Sequence, residues 1–148
     1  MTSHPYFRAY MAGITIPTMF LLLAIVAFTV VRYGFAVPVP IERVMVFPMA
    51  VVPNLFGLWN IFYLWLRPRR HLPIGLHGAL LPFVVAPLAF LLGTSLGLLS
   101  VTPKGFFWLE AFTIPYPFLA VAFCVALAVY YLVWKYLVAF CNEVLGIA

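Results

Sequence analysis

Residues 54–78 read NLFGLWNIFYLWLRPRRHLPIGLHG. From Asn54 to Leu66 no residue is charged; Arg67, Arg69 and Arg70 then follow within four positions, with His71 and His77 close behind. An apolar, aromatic stretch that stops at a knot of arginines is how a membrane-crossing helix ends. The hydrocarbon excludes guanidinium groups, while Trp and Tyr rings settle at headgroup level. Trp59, Tyr63 and Trp65 stand just ahead of the arginines, where such a belt belongs.

The rest of the chain agrees. It has 148 residues, 67% hydrophobic and 7% charged, with a mean hydropathy of +1.17. Soluble domains are roughly a quarter charged, and no water-soluble fold hides this much apolar surface. Crossing about 30 Å of hydrocarbon takes around 20 apolar residues. Four stretches qualify, at about 11–31, 44–66, 77–99 and 113–140. The expected fold is an all-α integral membrane protein, a single domain over residues 1–148 with four transmembrane helices in one bundle. Pro48 and Pro53 are expected to kink the second span, and Pro82 and Pro87 the third, because each removes a backbone donor and displaces a carbonyl one turn earlier. The N-terminus is read as an uncleaved first span, since no clear small-residue cleavage site follows it.

Cytoplasmic loops carry the Lys/Arg excess, so the arginine knot is expected inside, and alternation places both termini with it. Arg8, Arg67, Arg69, Arg70 and Lys135 then lie inside, against Arg32, Arg43 and Lys104 outside. Tyr130, Tyr131, Trp134 and Tyr136 around Lys135 form a second aromatic belt on the inner side. The linker YGFAVPVPIER (33–43) is expected to be extended, because Pro alternates along it. SVTPKGFFWLEAFTIPYP (100–117) places Phe106, Phe107 and Trp108 between Lys104 and Glu110, which suits a segment resting on the headgroup layer.

Three sets of residues are candidates for function. Arg67, Arg69, Arg70, His71 and His77 could hold an anion or a lipid headgroup, because guanidinium forks match phosphate oxygens. The same cluster also serves as a topology anchor on anionic lipid. Asn54, Asn60, Thr94 and Ser95 are polar groups inside spans. Asn54 and Asn60 point some 120° apart at about 100° per residue, so both cannot line one narrow pore. Gly57 and Asn60 share a face, which reads as a close helix contact joined by an amide. Gly93 and Gly97, and the Ala120, Cys124, Ala128 series on span four, have the four-residue spacing of small residues that lets helix backbones approach.

The missing residue types exclude more than the present ones suggest. Asp is absent and the acids are Glu42, Glu110 and Glu143, all near span ends. A carboxylate proton relay has no evident mid-span residue. A hydrolytic triad lacks its Asp, and no facing pair of mid-span histidines suits haem. No metal site and no cofactor is expected; His71 and His77 have no Cys, Asp or Glu beside them. Cys124 and Cys141 lie too far apart along a helix for a disulfide. The +5 formal charge sits at helix ends, which suits lipid headgroups and not nucleic acid.

The functional expectation is a non-enzymatic membrane component, packing as a homo-oligomer or as a subunit of a larger complex, in a prokaryotic-type inner membrane. The alternatives are a channel or transporter for a small uncharged or hydrophobic solute, and an interfacial enzyme or binding protein for an anionic lipid or amphiphile.

Overall fold

The computed structural model describes residues 4–36, 41–69, 71–108 and 112–147, apart from the side chains of 42–44, 46, 47, 50 and 112. Arg70, Glu110 and residues 37–40 of the 33–43 linker therefore lie outside the described residues, as do the side chains of Glu42 and Arg43, and the linker's ends at 33–34 and 41–43 are helical where an extended chain was expected. The chain is mostly helical, at 77%. In order it runs α1 (Pro5–Gly34), α2 (Ile41–Leu66), α3 (Ile74–Ala79), α4 (Pro82–Ser95), strands β1 (Leu99–Thr102), β2 (Gly105–Trp108) and β3 (Phe112–Pro115), then α5 (Tyr116–Leu132), a π-helical turn (Val133–Val138) and α6 (Ala139–Val144). Three helical runs are long and apolar enough to cross a membrane: Pro5–Gly34, Ile74–Ser95 and Tyr116–Val144. Val51–Leu66 adds a shorter apolar helix. These features place the chain in a membrane, and the broad exposure of side chains such as Leu23, Phe83 and Val121 suits hydrocarbon as a solvent.

The local breaks follow from proline and glycine. Pro68 biases Arg67 away from helical geometry, so α2 stops at Leu66 and a turn follows, with the Arg69 N–H donating to the Leu66 carbonyl at 2.9 Å. Pro82 separates α3 from α4. It has no N–H for the Gly78 carbonyl, which accepts instead from Leu81 at 3.0 Å. That shift leaves the His77 carbonyl without its usual partner four residues on, and it accepts instead from the Leu80 N–H at 3.3 Å and from the Trp59 indole N–H at 2.9 Å. The α-helical pattern resumes with Val85 donating to Leu81. Pro48 and Pro53 stay inside α2, and Pro17 and Pro87 inside α1 and α4.

The segment expected to lie on the headgroup layer is a three-stranded antiparallel meander, ordered β1-β2-β3. Thr102 pairs with Gly105 across a turn at Pro103 and Lys104, and Phe106 pairs with Ile114. Gly105, at φ +151°, sits so close to the Ile114 carbonyl that any Cβ would overlap it. The Tyr116 hydroxyl donates to the Thr102 carbonyl at 2.8 Å, and the Phe106 ring lies 5.5 Å from that of Phe90, tying the sheet to α5 and α4. The third and fourth spans accordingly begin and end at different residues from those expected: Leu99 belongs to β1 and Thr113–Pro115 to β3.

Packing is tightest at the end that carries the arginines. At the crossing of α1 and α2, a Cβ built on Gly13 would lie 2.8 Å from Gly57 Cα. Gly78 faces the Trp134 side chain and Gly75 the Tyr131 ring, so neither position has room for a methyl group. Phe56, Leu81, Trp134 and Val138 form the buried apolar core here, with the Phe56 and Trp134 rings 5.6 Å apart. The Arg8 guanidinium packs over Gly146. The N-terminal part of α1 and the turn after α6 thus lie side by side.

Candidate functional site

The polar centre of the molecule lies beside this core. Asn60 on α2 is 1% exposed and Asn142 on α6 is 4% exposed. Asn60 Nδ2 donates to the Ala9 carbonyl at 2.8 Å and to Asn142 Oδ1 at 2.7 Å; Asn142 Nδ2 donates back to Asn60 Oδ1 at 3.2 Å. Two amides on different helices thereby join α1, α2 and α6. Such a bond has few competitors where water is scarce, although its net worth in membrane proteins averages only about 0.6 kcal/mol. Helix periodicity explains how Asn60 arrives here: Phe56, Gly57 and Asn60 are all buried on one face of α2.

The other helix reaches the centre through its π turn. Trp134, Val138 and Asn142 are all buried although they stand four residues apart. In a regular α-helix each four-residue step drifts by about 40°. A π turn spends more residues per revolution and offsets that drift, keeping the three side chains on one face. Trp134 Nε1 is buried and has no hydrogen-bond partner among the described residues. α6 then closes on Gly146, at φ +63°: the Gly146 N–H donates to Glu143 and the Ile147 N–H to Asn142. Arg67 Nη1, just past the end of α2, caps this turn by donating to the Ile147 carbonyl at 3.1 Å.

Between the Asn pair and Arg67 is a pocket of about 120 Å³, walled by Asn60, Tyr63, Arg67, Ile74, Asn142 and Ile147 among others. The buried Asn pair makes it polar at its base, the exposed Arg67 makes it cationic at its mouth, and no carboxylate lines it among the described residues. Of the described members of the basic cluster, only Arg67 lines it. Arg69 instead stacks on Trp65, its guanidinium carbon 4.2 Å from the ring centroid, and His71 is exposed.

His77, grouped with the arginines by the sequence, is not on the basic surface at all. It is 1% exposed, its ring stacked on Trp59 and its Nε2 3.0 Å from the Trp59 carbonyl. Trp59 and His77 thus bond each other reciprocally and lock α2 to α3.

The intramembrane polar residues go to separate places. The Tyr10 hydroxyl donates to Asn54 Oδ1 across α1 and α2. Thr94 and Ser95 bond carbonyls of their own helix, at Phe90, Leu91 and Leu92, a local arrangement common for hydroxyls in helices. These residues do not converge on one path with Asn60.

The small-residue candidates divide as well. Gly57 meets the Tyr10 ring and Ile14. Gly93 approaches Leu99 of β1, whereas Gly97, at φ +68°, ends α4 and has nothing within 4 Å of a built Cβ. The Gly97 N–H donates to Thr94 and the Leu98 N–H to Gly93, so Gly97 works as a helix cap and not as a helix contact. Ala120, Cys124 and Ala128 are exposed on α5, and both cysteines are free thiols.

No family model, curated protein or solved structure matches this chain. Its site is therefore read from its own chemistry. Asn142 and Tyr10 are the participants that sequence reasoning did not single out, and Trp134, expected in the inner aromatic belt, is instead 0% exposed in the core, because its ring fills the space that Gly78 leaves open. Asn142 offered a signal: it is an amide eight residues after Trp134, and the six residues before it, 136–141, carry no charge.

Proposed function

We propose that this chain is a non-enzymatic membrane component that associates with a second copy of itself or with another membrane protein, in a prokaryotic-type inner membrane with its arginine-rich end in the cytoplasm. The observation that carries the reading is the exposed Ala120, Cys124 and Ala128 series on α5. The glycines at 13, 57, 75 and 78 are consumed by contacts inside the chain, whereas this series has a face free to meet another helix. Small residues at that spacing let backbones approach where apolar burial offers no drive between helices. The positive-inside rule supports the orientation, since Arg8, Arg67, Arg69 and Lys135 share one end.

Native mass spectrometry of the full chain, gently released from membranes, tests this reading. A defined oligomer or a stoichiometric protein partner is expected, and oxidation of a Cys141→Ser variant in the membrane should trap Cys124 pairs if the partner is a second copy. A strict monomer, with no copurifying protein and no crosslink, would sink it.

A further inference from the structure

The pocket between the Asn pair and Arg67 has a donor inventory that its internal bonds leave partly unspent. Among the described residues, Asn60 uses both amide hydrogens, on Ala9 and Asn142. Asn142 uses one of its two, on Asn60. Arg67 uses one of its five donors, on the Ile147 carbonyl. These spare donors border one small space with no carboxylate in its wall among the described residues. A site rich in donors and poor in acceptors fits an oxyanion.

Size narrows the ligand. A space of about 120 Å³ equals roughly four waters at about 30 Å³ each. That suits one tetrahedral phosphate group inside the pocket. Position narrows it again: Trp65, Tyr63 and Lys135 mark this end as headgroup level, where lipid phosphates lie. The site is also held in shape before any ligand arrives. Arg67 is anchored on the Gly146 turn, Arg8 packs over the same turn, and Asn142 is fixed by Asn60.

We infer that the pocket formed by Asn60, Tyr63, Arg67 and Asn142 binds a single phosphate group, with Arg67 supplying the charged fork and Asn142 an amide donor at its base. The inference is independent of the association reading, because a monomeric chain would bind equally well.

The full chain, delipidated in detergent, is titrated with mixed micelles of phosphatidylglycerol and phosphatidylcholine under native mass spectrometry, and separately with inorganic phosphate followed by ³¹P NMR. Arg67→Gln is expected to weaken binding at least about tenfold, as losing a charged hydrogen bond would, while Arg69→Gln changes it less than about twofold. Saturable uptake of one phosphatidylglycerol with this selectivity assigns the site to a headgroup; uptake of inorganic phosphate alone assigns it to the free ion. Should Arg67→Gln fail to fold by circular dichroism, Arg67→Lys keeps the charge without the planar fork and is expected to show a smaller loss of the same selectivity. Equal losses for the Arg67 and Arg69 variants, or no saturable binding of either probe, would overturn the inference.

Discussion

Replacing Asn60 and Asn142 by Leu, singly and together, tests whether the amide pair couples α2 to α6. Each single change leaves the other amide buried with its mutual partner gone, and an unsatisfied buried polar group costs about 1–3 kcal/mol. The double change removes both amides and orphans neither. The two share two hydrogen bonds, of 2.7 and 3.2 Å. At about 0.6 kcal/mol per bond in membrane proteins, their coupling is about 1.2 kcal/mol, reaching roughly 3 kcal/mol if both approach the upper end of that range. Asn60→Leu should exceed Asn142→Leu by about one further such bond, because Asn60 alone also donates to the Ala9 carbonyl. Equilibrium unfolding in mixed micelles, with SDS as denaturant and tryptophan fluorescence as the signal, measures all four corners of the cycle. The double variant is expected to be less destabilised than the two singles added together. Additivity within about 0.3 kcal/mol, as for independent sites, would refute the reasoning.

Other expectations follow from the close contacts. Gly13→Ala should destabilise by about 1–3 kcal/mol in the same assay, because its Cβ would lie 2.5 Å from the Phe56 carbonyl oxygen. Gly34→Ala, whose Cβ would meet only Val30 Cγ1 at 3.7 Å, should be neutral or slightly stabilising. Gly97→Ala should cost about 1–2 kcal/mol through left-handed backbone strain, and Gly97→Asn less, with no change in oligomeric state; a shift in association instead would show that Gly97 packs against another helix. Diethylpyrocarbonate, read by peptide mass mapping, should modify exposed His71 and spare buried His77. Equal modification of the two would contradict the Trp59–His77 lock.

The residues show where the sequence was legible and why it stopped. Apolar helices depend on composition over windows of about 20 residues, so their existence could be read directly, though not their ends. The Gly57–Asn60 contact face could also be read, since three residues along a helix nearly complete one turn. The partner of Asn60 was not readable, because Asn142 is 82 positions away and nothing local marks the pairing. Gly97 carries the spacing of a packing glycine, yet its backbone turns left-handed to end α4. The meander escaped notice because its strands are four residues each, too short for alternation to stand out among so many apolar side chains.

By itself the sequence determined the solvent of this protein, the existence of its apolar helices and the gathering of arginines at one end. Those properties follow from transfer free energies that add up residue by residue along a single segment. Tertiary structure alone decided which polar groups meet. It buried His77 against Trp59, closed Asn60 on Asn142, left Arg69 on Trp65, and set Arg67 at the mouth of a pocket. Hydrogen-bond partnership depends on the positions of two distant segments at once, and those are fixed only when Gly13, Gly57 and Gly78 let the helices come together.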